Sequence, residues 1–223
     1  MTSYSEKINK LFYYWLIISF AMIFIMIIVG GLTRLTNSGL SITEWELFSG
    51  ILPPLNRESW NFYFSLYKKI PQYQLINNNI TLEEFKVIFY WEYFHRILGR
   101  LIGLFFLIPL VFFYFTGQIN KHYLKICNLI LLAIIFQGIV GWYMVKSGLV
   151  SNVTVSHYRL SLHLTIAFII IVMIFWLLLN IRNNLYIKFF SDIKKNYIYH
   201  FMILIVFFQI ILGAFVSGLD AGK

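Results

Sequence analysis

The chain has 223 residues, 60% of them hydrophobic and only 12% charged, with a formal net charge of +9. Soluble domains run about 45–50% apolar and about 25% charged. The apolar excess excludes a soluble enzyme, a disordered chain and a nucleic-acid-binding domain.

In chain order, residues 1–14 form an N-terminal segment with Glu6, Lys7 and Lys10 and no arginine, which fits neither a mitochondrial transit peptide nor a cleaved signal. The first uncharged block, Trp15 to Thr33, is long enough to cross hydrocarbon as a helix. A loop over residues 34–81 follows, broken by Pro53-Pro54 and Pro71. Within it, Ser59 to Ile70 carries Trp60, Tyr63, Phe64 and Tyr67 at helical spacing. Two readings stand: an amphipathic helix on the membrane surface, or a lid over a site at the outer face. Four more blocks come next: Leu101 to Asn120, Ile126 to Val145, Leu160 to Ile181 and Tyr197 to Leu219, the last two separated by a basic linker over 182–196. Continuous apolar runs predict helices, since barrel strands alternate. The expected fold is an all-α integral membrane protein with five transmembrane helices: a four-helix unit over 15–181 and a fifth helix in 197–223.

Basic residues set the orientation. The first, third and fifth connecting segments hold Lys7, Lys10, Lys121, Lys125, Arg182, Lys188, Lys194 and Lys195 against Glu6 and Asp192, whereas the 34–81 loop is nearly neutral. The positive-inside bias places the N-terminus in the cytoplasm and the long loop outside, in a bacterial plasma or inner membrane. Cys127 is the single cysteine, so neither a disulfide framework nor a cysteine-based metal site is expected.

Phe24 to Gly39 aligns without gaps on Phe207 to Gly222, with identities at Phe24/Phe207, Ile27/Ile210, Ile28/Ile211, Gly30/Gly213 and Gly39/Gly222. A Phe-Gln-x-Ile-x-Gly pattern at Phe136 to Gly141 is related to Phe208 to Gly213. Either the fifth helix opens a second copy of the four-helix unit, or Ile/Phe-rich helices match by chance. Small residues at these positions let helices approach closely.

Ionisable residues near hydrocarbon are costly unless paired or ligated, so they are the functional candidates. Glu92, His95 and Arg96 lie on neighbouring positions of the second membrane helix, with Gly99 and Gly103 following His95 on the same stripe. A histidine with glycine one and two turns on leaves a slot that a planar macrocycle can occupy. The alternative is a Glu92–Arg96 ion pair anchoring the helix end. The fourth membrane helix opens with His157, Arg159 and His163. Because the second and fourth helices run the same way, His95 and His163 enter at similar depth. Neutral imidazoles on facing helices are normal haem ligands. Arg96 and Arg159 could then pair with carboxylates of that ligand. His122 and His200 sit at the other ends of their helices and read as structural.

The segments Gly30-Gly31-Leu32-Thr33-Arg34-Leu35-Thr36-x-Ser38-Gly39-Leu40-Ser41, Trp45, Pro53-Pro54 and Glu92-Tyr93-Phe94-His95-Arg96-x-Leu98-Gly99-Arg100 resemble those of haem A synthases. So do Tyr158-Arg159-Leu160-x-Leu162-His163-Leu164 and Gly218-Leu219-Asp220-Ala221-Gly222. A loop without cysteines resembles the proteobacterial and mitochondrial branch. The resemblance implies an eight-helix enzyme of two four-helix halves that oxidises the C8 methyl of haem O to the formyl of haem A for cytochrome oxidase, with water supplying the oxygen. It further implies that His95 and His163 hold substrate haem, with Glu92 as the motif's glutamate; by the residue reading Glu92 could serve beside the iron as a proton acceptor, with Arg96, Arg159 and Gly99 in the haem site. The second histidine pair, in the C-terminal half, would hold a haem b cofactor. By the resemblance, the chain is truncated after its fifth helix. Expected partners are haem O, membrane lipid, haem O synthase, an electron acceptor and a second copy of the chain, with no nucleic acid. Two other classes stand beside this enzyme: a bis-histidine b-type cytochrome without chemistry on the macrocycle, and a transporter using Glu92, Arg96 and Arg100.

Overall fold

The computed structural model describes residues 9–44, 49–151, 153–183, 197–219 and 221. Trp45, most of the N-terminal segment, the linker over 184–196, Asp220 and Gly222 lie outside the described residues, so the sequence expectations placed on them stay there. Among the described residues every regular element is helical: α1 (Lys10–Leu35), α2 (Arg57–Tyr67), α3 (Pro71–Leu75), α4 (Leu82–Thr116), α5 (Lys121–Ser151), α6 (His157–Arg182) and α7 (Tyr197–Gly218). Of these, α1, α4, α5, α6 and α7 are long and apolar enough to cross a membrane. The protein is thus a multi-pass membrane protein, and the five expected spans are present.

Local chemistry sets the helix ends. The Asn9 side chain accepts hydrogen bonds from the N–H groups of Leu11 and Phe12 and so caps α1. Thr81 and Glu84 form a reciprocal capping box that starts α4 well before its apolar block. Gly117, at φ 63°, closes α4 in the left-handed conformation open to glycine. Asn37, at φ 52°, turns the chain out of α1.

α1 packs on α4, α4 on α5, α5 on α6 and α6 back on α1, which closes a four-helix ring; α7 lies against α6. Two packed layers leave a space between them. At one end, Phe12 and Trp15 of α1 meet Phe106 and Phe113 of α4, Cys127 of α5 and Ile174 of α6, all buried. There the Trp15 indole donates to the Phe105 carbonyl at 3.0 Å. At the other end, Trp60, Phe64 and Tyr67 of α2 are buried against Phe85 and Phe89 of α4. Burying each apolar side chain of this cap contributes about 1.5–3 kcal/mol. The aromatic face of α2 is therefore turned onto the bundle, making it a cap rather than a helix that offers those rings to lipid.

The cap is tied down by polar bonds. Tyr67 Oη donates to Gln72 Oε1 at 3.0 Å and accepts from Asn77 Nδ2 at 2.8 Å. Gln72 Nε2 then donates to the Asn37 carbonyl at 3.1 Å, joining the cap to the end of α1. Burial pushes the Tyr67 phenol above its ordinary value of 10.0, opposed by the Asn77 hydrogen bond and aided by the Glu92 charge.

Candidate functional site

Between the packed base and the cap lies a cavity of about 1170 Å³, walled by α1, α4, α5, α6 and α7 and reached by Gln72 from the cap. Its walls are apolar and include small residues: Gly30 and Gly31 of α1, Gly99 of α4, Gly138 and Gly141 of α5, Gly213 and Ala214 of α7. Ligand sites of this size are mostly apolar with a few convergent polar groups. Here the polar groups include His95, His163, Glu92, Gln137, Arg34, Arg96 and Arg100.

The two candidate histidines come together on this space from different helices. A Cβ on Gly30 would stand 3.3 Å from His95 Nε2. One on Gly141 would stand 2.8 Å from His163 Cε1, closer than real Cβ atoms approach. Each imidazole therefore lies against a glycine of the facing helix. The slot expected beside His95 from Gly99 and Gly103 is a separate feature, and Gly99 lines the same cavity. Gly99 faces Met26 of α1 at 3.4 Å, and Gly103 has open space around it.

Glu92 is 2% exposed and accepts four hydrogen bonds. Oε2 accepts from Ser41 Oγ at 2.7 Å and the Ile42 N–H at 2.8 Å; Oε1 accepts from Arg96 Nε at 3.0 Å and Nη2 at 2.5 Å. Arg96 Nη2 also donates to the Ile42 carbonyl at 3.0 Å. The ion pair read from the sequence is present, and it also clamps the chain leaving α1 onto α4. Charge-assisted bonds of this kind are the strong class.

Arg159 lies elsewhere. It donates to Ser147 Oγ and stacks over the Tyr143 ring at 4.6 Å, bridging α6 to α5 outside the residues that line the cavity. The arginines that do line the cavity are Arg34, Arg96 and Arg100. Arg34 Nη2 donates to the Ser217 carbonyl of α7 at 2.5 Å. These two positions are equivalent in the Phe24–Gly39 and Phe207–Gly222 alignment, so the two segments meet at one end of the cavity. His157 packs on α7, with its ring 5.6 Å from that of Phe215. His122 and His200 line no part of the cavity.

The site fits the haem that the resemblance implies. Two imidazoles from parallel helices share one space, glycines flatten the walls beside both rings, and His163 Nδ1 is buried without a hydrogen-bond partner. Gln137 lies in a visible motif but is not singled out by sequence; Arg34 stands there only within a motif, and Arg100 only within a motif and the transporter alternative. Which side of a helix faces a cavity depends on packing that one segment does not carry.

Three relatives bear on this geometry. The family model COX15-CtaA, described as cytochrome oxidase assembly protein, matches residues 13–223. The haem A synthase of Pelagibacter ubique (strain HTCC1062) is 52% identical over 218 residues, covering 98% of this chain and 64% of its own length. That of Parvibaculum lavamentivorans is 46% identical over 211 residues, covering 94% of this chain and 60% of its own. That of Rickettsia prowazekii (strain Madrid E) is 46% identical over 209 residues, covering 93% and 62%. The chain thus spans less than two thirds of the length of these relatives. No solved structure matches.

Proposed function

Since the chain belongs to the COX15-CtaA family of cytochrome oxidase assembly proteins, we propose that it forms the substrate-haem unit of a haem A synthase, converting the C8 methyl of haem O to the formyl of haem A. The observation that carries this reading is the convergence of His95 and His163 on one glycine-walled cavity. The names of the relatives support the same activity.

When bound, haem supplies the iron and the methyl group to be oxidised. His95 and His163 would hold the iron from two helices; Gly30 and Gly141 make room for their imidazoles, and Gly99 lines the same cavity. Arg34, Arg96 and Arg100 place positive charge where carboxylates of the macrocycle can be met; Arg159 is retained as a candidate only at the α5–α6 edge. The net oxidation takes up one water and releases four protons and four electrons, so it requires a proton acceptor and a separate electron acceptor. Glu92 is the proposed proton acceptor, because it is the carboxylate lining the cavity with both histidines. To act so it must give up one of its four hydrogen bonds. A haem b cofactor belongs, by the resemblance, to the second histidine pair of a C-terminal half. Haem O synthase as the source of substrate, an electron acceptor and a second copy of the chain are the proposed partners.

Packing supports the domain division: α1, α4, α5 and α6, from Lys10 to Arg182, close a ring, and α7 lies against α6. The lysine and arginine asymmetry supports a cytoplasmic N-terminus in a bacterial plasma membrane.

The test is to express the chain in a host that makes haem O, purify it, and identify the extracted pigment by mass spectrometry. Haem O or haem A is the expected pigment. Haem b alone would favour a bis-histidine cytochrome, and no haem would refute the site.

A further inference from the structure

Where α5 and α6 line the cavity, His163 Nδ1 and Gln137 Oε1 are buried with no hydrogen-bond partner. They belong to residues already in contact, because Gln137 Nε2 donates to the His163 carbonyl at 3.0 Å. That bond fixes the amide orientation, since a carbonyl only accepts. An unsatisfied buried polar group costs about 1–3 kcal/mol, so two of complementary type in one wall call for a cause.

Iron ligation provides one. An imidazole that binds iron through one nitrogen carries its hydrogen on the other, and that N–H needs an acceptor to hold the ring in place. Gln137 Oε1 is an acceptor without a donor, and His163 Nδ1 is the nitrogen without a partner. Gly141, one turn beyond Gln137 on α5, is the residue against which the His163 ring lies, a Cβ there standing 3.5 Å from Nδ1 and 3.6 Å from Nε2. The glutamine and the final glycine of Phe136 to Gly141 thus hold and make room for the same imidazole.

We infer that Gln137 is the positioning residue for His163: with Nε2 on iron, Nδ1–H donates to Gln137 Oε1 while Gln137 Nε2 keeps its bond to the His163 carbonyl. This rests on the proposed haem site. Each orphaned atom then satisfies the other, and the amide grips His163 at its backbone and its ring together. A strong acceptor on Nδ1–H makes the imidazole a better electron donor, which favours ferric iron and lowers the reduction potential.

The experiment loads the purified full chain with ferric haem b and measures the midpoint potential by spectroelectrochemistry for the wild type, Gln137→Glu and Gln137→Met. The carboxylate is a stronger acceptor and the thioether a poor one. The expected result is a lower potential for Gln137→Glu and a higher one for Gln137→Met, with the bis-imidazole spectrum kept in both. A merely structural glutamine would move both the same way, and that result, or no shift, overturns the inference. If Gln137→Met does not fold, Gln137→Glu decides alone: a potential at or above the wild-type value overturns it. His163→Ala separates the two levels. Loss of the bis-imidazole spectrum upholds the haem site whatever Gln137 does, whereas an unchanged spectrum removes the site and the inference with it.

Discussion

His163 and Gly141 are matched across the α5–α6 contact so closely that one added methyl on the glycine would stand 2.8 Å from Cε1 of the imidazole. The ring occupies the volume that any other side chain on α5 would need. Its position is thus set by a neighbouring helix as much as by its own.

Gly141→Ala is expected to displace the imidazole and lower haem occupancy at least tenfold, while the chain still inserts and folds. Gly103→Ala, at a helical glycine with open space around it, should instead be neutral or stabilise by about 0.5–1 kcal/mol. Absorbance of the purified proteins near the Soret band, at equal protein, checks both. Equal occupancy in the two variants would show that the Gly141 contact does not set the ring.

His95→Ala and His163→Ala should each abolish the bis-imidazole spectrum. His122→Ala and His200→Ala, outside the cavity walls, should leave it unchanged. Equal damage from His122→Ala would sever the link between cavity and iron.

Much of this pairing could be read in advance. The five helices followed from uninterrupted apolar length, and the shared depth of His95 and His163 followed from two helices running the same way. The partners of those residues did not. Gly30 lies on the first membrane helix and Gly141 on the third, and only the packed bundle turns each toward its histidine. Arg159 shares a helix face with His163 by spacing, yet its longer side chain reaches Ser147 and Tyr143 on α5. Rings at helical spacing in α2 announced an amphipathic helix, but the surface that would cover them is set by Phe85 and Phe89 of a separate element.

The Glu92–Arg96 pair has side chains only 3% and 12% exposed. Breaking such a pair by removing one partner typically costs about 3–5 kcal/mol, because the other charge is left buried. Glu92→Gln is therefore expected to lower the melting temperature strongly, and Glu92→Gln combined with Arg96→Met should recover part of that loss. A double variant no more stable than Glu92→Gln alone would show that the pair is not what holds the clamp. Catalysis is read separately: in a relative-length chain of demonstrated activity, a ratio of haem A to haem O unchanged by Glu92→Gln would remove the proton-acceptor role.

Alkali should loosen the cap. The Tyr67 phenol is held above 10.0 in the folded chain, mainly by burial, so the protonated form is favoured there relative to the unfolded chain. The sign follows: this stability is fully present below the ordinary tyrosine value of about 10 and is lost as pH rises through the raised one. Melting of the wild type should fall more steeply above about pH 10 than melting of Tyr67→Phe. Parallel curves would mean that Tyr67 does not titrate with unfolding.

The hydrogen bond from Arg34 to the Ser217 carbonyl gives the protein an order of birth. Chains emerge N-terminus first, and early segments can associate while later ones are still being made. The helices α1, α4, α5 and α6 hold both histidines and can close their ring before α7 exists, but one wall of the cavity is then open. That wall is added when α7 arrives and its last turn reaches Arg34. A ribosome that stalls between α6 and α7 would release a bundle with both imidazoles in place and an open flank, so covering of that flank is a late event in biogenesis.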